Sequence, residues 1–293
     1  MPRGCVGARA MAEAARAAGA IDRPFVFDDH DFARVRALIH ARAGISLAEH
    51  KRDMVYSRLV RRVRAGGFAR FSDYLDALEQ GREDVQDFIN ALTTNLTSFF
   101  REAYHFDALT TQLRQAGAAN GPLRIWCAAA STGEEPWSLA ITACEAFDTL
   151  RPPVRILATD IDTQVLATAE TGVYTTERIE PLSEARRRAY FQRGTGPNAG
   201  LCRVREELRE LVAFRPLNLL DHDYGINPGL TAIFCRNVMI YFDKPTQHRL
   251  LRRMVPLLAE GGRFYAGHSE SFSHAGDVVV GCGRTIYRAR GRE

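Results

Sequence analysis

The sequence predicts an α/β protein in which a mostly parallel sheet follows an N-terminal all-α domain. Strand and helix patterns alternate after about residue 121, whereas residues 25–92 show helical spacing alone. Within the α/β region, residues 174–213 interrupt the alternation with short strand patterns, Phe191–Gly194 and Leu201–Val204, which predict a small antiparallel β-subdomain. The chain of 293 residues is long enough for about two domains.

The all-α domain is predicted from amphipathic segments that glycines separate. These segments are Asp31–Ala43, Ala48–Ala65, Ser72–Leu78 and Glu83–Thr93. One arc of the second segment is apolar, and the other carries Arg58, Arg61, Arg62 and Arg64. Such a basic face is either simply solvated or a docking surface for an acidic partner, for which a nucleic acid and an acidic helix serve equally well.

Residues 93–120 are predicted to link the domains and to contribute to a binding site. The stretch Thr93–Glu102 places hydrogen-bonding residues around Phe99, Phe100 and Arg101. Arg101 offers a fixed fork of N–H donors to a carboxylate. The two phenylalanines either close over a ligand or pack in the domain interface.

The next segment predicts a nucleoside pocket. A strand at Leu123–Cys127, a tight turn at Ala128–Pro136, a helix at Ser138–Phe147 and a strand at Val154–Thr159 follow one another. Asp160 then stands at the carboxyl end of the second strand, where open α/β sheets bind their ligands. The number of residues between the glycine turn and Asp160 is typical of an acid that accepts hydrogen bonds from ribose hydroxyls.

The turn around Gly133 narrows the choice of cofactor. It has one glycine where the dinucleotide fingerprint has three, and it lacks the Gly-Lys-Ser/Thr that holds a triphosphate. Glu134 and Glu135 would repel a pyrophosphate at the helix N-terminus, although they also simply complement the helix dipole. We therefore predict S-adenosylmethionine, which combines a nucleoside with a positive charge. Scattered histidines and cysteines predict no metal site.

Two further strands, Leu211–Phe214 and Leu230–Phe234, are predicted to end at the same edge. Asn218 is then placed to meet adenine nitrogens. Arg236 and Asn237 lie where the amino-acid part of the methyl donor is expected. Tyr241 is placed either to orient the methyl acceptor or to contact the methyl group through its hydroxyl. A helix is predicted at Pro245–Leu258, and Gly261-Gly262 are predicted to end it. Strands at Arg263–Ala266 and Arg284–Arg288 complete the predicted sheet.

Composition restricts the setting of the protein. A net charge of +4 is too small to indicate a nucleic-acid binder, and no apolar run is long enough for a transmembrane helix. The cysteines form no C-x-x-C pair and are expected to be reduced, as in a cytoplasmic protein. We expect a monomer that is not embedded in a membrane, with residues 1–24 as a flexible tail.

Five strings in order resemble the chemotaxis receptor methyltransferases, the CheR family. They are Thr93–Glu102 (TTNLTSFFRE), Ala128–Pro136 (AAASTGEEP), Ala158–Asp162 (ATDID), Phe234–Lys244 (FCRNVMIYFDK) and Ala266–Phe272 (AGHSESF). The resemblance implies a Rossmann-like, S-adenosylmethionine-dependent methyltransferase domain at residues 121–290. It also implies methylation of chemoreceptor glutamates in bacterial chemotaxis, with S-adenosylhomocysteine as product.

The resemblance also implies particular site residues. In the family the cofactor lies against the residues that here are Asn95, Thr97, Arg101, Glu135, Asp160, Asn218, Leu219, Arg236 and Asn237. Arg101 and Tyr241 match the positions proposed to assist transfer. The basic helix resembles the receptor-facing helix of the family, which favours an acidic protein helix over nucleic acid. The β-subdomain resembles the type that captures a receptor C-terminal pentapeptide by adding a strand.

Rival functions are a cofactor-binding regulatory module without turnover, a nucleic-acid methyltransferase and a hydrolase. The presence of Arg101, Asp160 and Tyr241 argues against the first. The string Cys235–Val238 lacks both the Asn/Asp-Pro-Pro-aromatic sequence of amino methylation and a Pro-Cys nucleophile. The string Gly267–Ser271 ends in serine where a nucleophile elbow has glycine, which argues against a hydrolase.

Overall fold

The computed structural model describes residues 24–117 and 121–291, so the predicted tail at residues 1–24 lies, except for its last residue, outside the described part. The predicted fold class is confirmed. A helical domain precedes a seven-stranded mixed sheet, and a separate three-stranded antiparallel sheet projects from the α/β region.

The helical domain is formed by four α-helices. They are α1 (Asp29–Ala43), α2 (Arg52–Ala65), α3 (Phe71–Glu79) and α4 (Val85–Leu92). Asp28 starts α1 with a capping box to Asp31, and Gly44, at φ 71°, ends it in the left-handed conformation. A short 3₁₀ turn at Glu49–Lys51 precedes α2, so the helix predicted at Ala48–Ala65 is divided in two.

The large sheet has the order β6-β2-β1-β7-β8-β10-β9, and its first five strands are parallel. These five are β1 (Leu123–Cys127), β2 (Val154–Asp160), β6 (Val212–Pro216), β7 (Leu230–Phe234) and β8 (Leu258–Tyr265). β9 (Val279–Gly283) and β10 (Ile286–Ala289) form an antiparallel hairpin at one edge. The strand order reverses between β1 and β7. The connections that follow these two neighbouring strands leave in opposite directions, which opens a crevice that can hold a ligand.

Helices cover the sheet and connect its strands. The larger ones are α5 (Tyr104–Ala116), α6 (Glu134–Phe147), α7 (Thr163–Thr171) and α11 (Lys244–Met254). One apolar core lies between the sheet and α5 and α6, and a second lies on the opposite side of the sheet, against α11. A third core is internal to the helical domain.

Two predictions near the end of the chain are wrong in detail. Gly261 and Gly262 do not stop an element but lie within β8, where the pairing with β7 shifts register. A Cβ on Gly262 would lie 2.9 Å from the carbonyl oxygen of Leu230, so this bulge requires glycine. β9 was not predicted, because its glycines weaken the strand pattern, and Arg284 belongs to the turn before β10.

The inserted subdomain contains three strands rather than the predicted two. They are β3 (Val173–Thr175), β4 (Phe191–Arg193) and β5 (Leu201–Val204), with β5 in the centre. Short helices lie between them and before β6, namely α8 (Thr176–Ile179), α9 (Glu184–Tyr190) and α10 (Glu206–Arg209). β3 has three residues, too few for alternation to be recognised in the sequence.

Candidate functional site

A cavity of about 360 Å³ lies between the helical domain and the carboxyl ends of the parallel strands. Every residue predicted to hold the cofactor or to assist transfer lines it. These residues are Asn95, Thr97, Arg101, Glu135, Asp160, Asn218, Leu219, Arg236, Asn237 and Tyr241. Ile45, Leu47 and Met54 of the helical domain supply the facing apolar wall.

Asp160 lies at the end of β2 and is 8% exposed. Its Oδ2 accepts a hydrogen bond from the Ser131 backbone N–H at 2.8 Å, and its Oδ1 accepts one from the Asp162 N–H at 2.9 Å. Burial raises the pKa of Asp160 to about 6, although these backbone donors oppose the rise. Each carboxylate oxygen keeps a lone pair for a ribose hydroxyl.

The turn before α6 is tighter than predicted, because the helix begins at Glu134 rather than at Ser138. Gly133 makes this start possible with a φ of 98°. A Cβ there would lie 2.6 Å from the Tyr174 hydroxyl and 2.8 Å from the Ala169 Cβ. Glu135 thereby enters the first turn of the helix and reaches the cavity.

Glu135 is paired with a buried cation rather than left to repel an anion. Its Oε2 accepts a hydrogen bond at 2.8 Å from Arg236, whose side chain is completely buried. Burial raises the pKa of Glu135, and the charge of Arg236 opposes that rise. Arg236 also donates to the backbone carbonyl of Arg101 and lies 3.3 Å from a Glu102 carboxylate oxygen. This arginine therefore joins β7, α6 and the domain link.

Glu102 holds three segments together beside the cavity. Its carboxylate accepts hydrogen bonds from Asn237 Nδ2 at 3.3 Å and from the His268 backbone and ring at 3.1 and 2.8 Å. Burial acts to raise the pKa of Glu102, but the His268 bonds and the charge of Arg236 lower it to about 2. Glu102 is therefore ionised at all ordinary pH values.

Arg101 is presented on an irregular backbone between two non-glycine residues with positive φ, Phe100 at 52° and Glu102 at 58°. Its Nη1 donates to the Leu96 carbonyl at 2.9 Å. Phe100 is fixed by a hydrogen bond from its N–H to Ser138 Oγ at 2.9 Å and by the Arg186 guanidinium, 3.9 Å from its ring centroid. Backbone strain of this kind is retained where the surroundings impose it and often marks a functional site.

The two phenylalanines pack in the protein interior, and neither lines the cavity. The Phe99 ring contacts the rings of Tyr174 and Phe191, with centroids 5.1 and 5.5 Å apart. Phe100 packs edge-on against Phe106 at 4.9 Å. The rings do not close over the cavity. They also do not pack in the interface with the helical domain, but against the β-subdomain and α5 within the α/β region.

Hydrogen bonds clasp the helical domain to the sheet at this cavity. Thr93 Oγ1 and Asn95 Nδ2 both donate to Asp162 Oδ2, at 2.5 and 2.8 Å. Asn218 Nδ2 donates to the Arg42 carbonyl at 2.7 Å, and the Ser46 N–H donates to the carbonyl of Tyr241 at 2.8 Å. The polar residues at the join thus fix the relative position of the two cavity walls.

The remaining predicted residues lie after β6, after β7 and in the domain link. The buried Leu219 contributes an apolar surface. Thr97 is half-buried, and its carbonyl accepts a hydrogen bond from Arg178 at 3.4 Å. Asn237, at φ 59°, donates its N–H to Glu270 Oε2 at 3.0 Å, which shapes the loop that carries Tyr241.

The four arginines of α2 that were predicted to form a basic face do not share one environment. Arg58 donates to the carbonyl oxygens of Leu92 and Thr93, at 2.9 and 2.6 Å, and Arg62 forms an ion pair with Asp87 at 2.5 Å. Both are therefore used within the domain. Arg61 and Arg64 are exposed.

Ser269 takes part in a hydrogen-bonded series that superficially resembles a hydrolase triad. Its Oγ lies 3.0 Å from His268 Nε2, and His268 Nδ1 lies 2.8 Å from Glu102. However, Ser269 is exposed and the His268 side chain is 63% exposed, so this serine lies in water rather than in an enclosed site. The geometry gives no reason to revise the prediction against a hydrolase.

Three acids that fix the cavity walls, Glu102, Asp162 and Glu270, are not among the site residues predicted from the sequence. Asp162 caps α7 by accepting from the N–H groups of Gln164 and Val165, and Glu270 accepts from the loop after β7. Position was the available signal, since each acid lies within one of the polar strings at the ends of predicted elements.

Within the described residues, no helix is both long and apolar enough to cross a membrane.

Comparison with known proteins identifies relatives along both domains. Residues 30–93 match the family model "CheR methyltransferase, all-alpha domain", and residues 95–287 match "CheR methyltransferase, SAM binding domain". Chemotaxis protein methyltransferase 2 of Pseudomonas aeruginosa is 53% identical over 266 residues, which cover 91% of this chain and 95% of that protein. The chemotaxis protein methyltransferase of Escherichia coli is 51% identical over 261 residues, covering 88% and 90%.

Proposed function

The chain belongs to the CheR methyltransferase family, and on that premise we propose that it transfers the methyl group of S-adenosylmethionine to glutamate side chains of chemoreceptors. The products are a glutamate methyl ester and S-adenosylhomocysteine. The observation that carries the proposal is the cavity at the strand ends, since the residues predicted to bind the cofactor and to assist transfer all line this one cavity. We place the reaction in the cytoplasm, on the cytoplasmic helices of the receptors.

The donor set around the cavity suits S-adenosylmethionine. Asp160 would accept hydrogen bonds from the ribose hydroxyls, and the amide of Asn218 would meet the adenine. Asn95 and Thr97 of the domain link line the same space. When bound, S-adenosylmethionine supplies an electrophilic methyl group on a positively charged sulfur.

The acceptor needs no general base. A glutamate side chain has an unperturbed pKa of about 4.3, so its carboxylate is already ionised near neutral pH. Because transfer to this carboxylate neutralises two opposite charges, orientation and exclusion of water contribute more than proton transfer. A cavity without a paired acid and base is therefore consistent with this chemistry.

Arg101 and Tyr241 are the residues that we propose assist transfer. Among the described residues Arg101 donates a side-chain hydrogen bond to Leu96 alone, so its remaining N–H groups are available to a carboxylate. Its backbone is fixed by Arg236, which acts as a positioning residue. The half-buried Tyr241 lines the cavity, where its hydroxyl would orient the acceptor carboxylate.

Residues 25–92 are the proposed receptor-docking domain. Arg61 and Arg64 are exposed on α2 and have the charge to attract an acidic receptor helix. Arg58 and Arg62 instead hold the domain together, so their contribution to docking would be indirect.

The β-subdomain offers a second contact with the receptor. β3 and β4 are the edge strands of its sheet, and an extended peptide can add to such an edge through main-chain hydrogen bonds. We propose that a receptor C-terminal pentapeptide binds there. Equal affinity for receptors with and without this pentapeptide would contradict the proposal.

A labelling experiment tests the function directly. The protein is incubated with methyl-labelled S-adenosylmethionine and either receptor-containing membranes or RNA, and the products are treated with alkali. Base-labile label on receptor glutamates is the expected result, because carboxyl esters hydrolyse under these conditions. Label on RNA would support the rival nucleic-acid methyltransferase, and cofactor binding without label on either would support a regulatory module.

A further inference from the structure

Large apolar side chains at the mouth of the cavity are unusually exposed. Among the described residues the exposed large hydrophobic side chains are Val26, Leu96, Val173 and Ile240, at 80, 80, 36 and 51% exposure. Leu96 and Ile240 also line the cavity, so they lie at its opening. Single exposed apolar residues are ordinary on protein surfaces, but two at the entrance of one site are a feature to be explained.

The backbones that carry these two side chains are held in place. The Leu96 carbonyl accepts the hydrogen bond from Arg101, and the Ile240 N–H donates to the buried Glu270 at 3.3 Å. Ile240 also precedes Tyr241 in the 3₁₀ turn Met239–Tyr241. The backbone of each residue is therefore held next to a residue proposed to assist transfer.

Exposed cationic groups lie at the cavity and on the helix α2 that follows. Lys51 is exposed and lines the same cavity, and exposed Arg61 and Arg64 lie on the helix that follows it. A surface that combines positive charge with two protruding apolar side chains complements a partner that is acidic and also presents an apolar strip. An acidic amphipathic helix has this character.

We propose that Leu96 and Ile240 form an apolar rim that packs against the apolar strip of the receptor helix while the accepting glutamate enters the cavity. This inference rests on the proposed function and adds two residues that determine acceptor affinity. The contact forms only with the acceptor bound, so it should lower the KM for receptor. It should also exclude water from the opening during transfer.

The test measures receptor methylation by purified full-length variants as a function of receptor concentration. For Leu96→Ala and Ile240→Ala we expect the KM for receptor to rise by roughly tenfold each, the loss that corresponds to one buried aliphatic side chain. Affinity for S-adenosylmethionine, measured by calorimetry, and thermal stability should both stay at the wild-type level. Val280→Ala is the control, because Val280 is a partly exposed aliphatic residue on β9, outside the proposed receptor-docking domain and the β-subdomain, and does not line the cavity.

Several results would overturn the proposal. A wild-type KM for receptor in both rim variants would do so, as would an equal rise in the Val280→Ala control. Weaker binding of S-adenosylmethionine without a change in the KM for receptor would show that the rim belongs to the cofactor site instead. If the wild-type protein placed no base-labile label on receptor, the proposed function and this inference would fail together, whereas labelling by wild type with unaffected variants refutes the rim alone.

Discussion

Replacing Arg236 by methionine tests the buried ion pair on which the cavity depends. The substitution removes the 2.8 Å hydrogen bond to Glu135, the 3.3 Å contact with Glu102 and the bond to the Arg101 carbonyl. Methionine is apolar and flexible enough to fill the space between the rings of Phe106 and Phe234, which the guanidinium faces at 5.6 and 6.0 Å. The dominant effect is therefore the loss of charge compensation for Glu135.

Removal of one partner from a buried ion pair costs about 3–5 kcal/mol. With an unfolding entropy of about 2.1 cal/mol/K per residue, a chain of 293 residues should then show a fall in the unfolding temperature of roughly 5–8 °C. The double variant Glu135→Gln/Arg236→Met should recover a substantial part of the loss, because a neutral amide tolerates burial far better than an unpaired carboxylate. Measuring Glu135→Gln alone completes a double-mutant cycle with wild type, Arg236→Met and the double variant.

The loss in Arg236→Met should also depend on pH. Burial already raises the pKa of Glu135, and removal of the opposing positive charge raises it further. The free-energy cost of burying the ionised Glu135 carboxylate in Arg236→Met is present above the folded-state pKa of Glu135. It disappears as the pH falls through that pKa. The difference in unfolding free energy between wild type and Arg236→Met should therefore shrink from neutral to mildly acidic pH.

Thermal and urea unfolding followed by circular dichroism, each at several pH values, measure these differences. A loss below about 1 kcal/mol would refute the reasoning, because it would lie in the range of an exposed pair. A double variant no more stable than Arg236→Met, or a loss that does not change with pH, would show that unpaired charge on Glu135 is not the cause.

Three further predictions concern binding and transfer. Arg101→Ala should keep the wild-type unfolding temperature but lose transfer by roughly 100-fold or more in kcat, and near-normal turnover would contradict its role. Binding of S-adenosylmethionine, measured by calorimetry, should weaken as the pH falls below about 6, because protonation of Asp160 removes a hydrogen-bond acceptor; Asp160→Asn should bind about tenfold more weakly at high pH and lose this pH dependence. Reversing the charge of Arg61 and Arg64 to glutamate should raise the KM for receptor more at low salt than at high salt, with unchanged affinity for the cofactor, and an effect independent of salt would argue against electrostatic docking.

The sequence predicts the fold well where patterns are long. The strand Leu123–Cys127 agrees to the residue with β1, and Leu230–Phe234 agrees with β7, because each is a mostly apolar run that directly follows a proline or a glycine. Errors are concentrated where a short element or a glycine changes the pattern. β3 is too short, and Gly261 and Gly262 look like a stop although the structure places them in a bulge of β8.

The candidate site is predictable for residues at strand ends and less so for the contacts between them. Asp160 follows a recognisable strand, so topology alone brings it to the cavity. The pairing of Arg236 with Glu135 joins residues more than a hundred positions apart in the chain, and no local pattern encodes it. The same holds for the Arg58 and Arg62 contacts, which a helical wheel displays as part of a free basic face.

The clasp between the helical domain and the sheet limits how this protein can be recombined. Thr93 and Asn95 of the link bond to Asp162, and Asn218 bonds to the backbone carbonyl of Arg42, so the link and the helical domain are both tied to the sheet at the cavity itself. A chimera that takes its helical domain and the start of the link from a distant relative would replace the Thr93 and Asn95 donors and misplace a wall of the site. If the helical domain docks the receptor as we propose, receptor preference is inherited together with a wall of the cavity, and a change of preference would have to come from exposed residues within the existing domain.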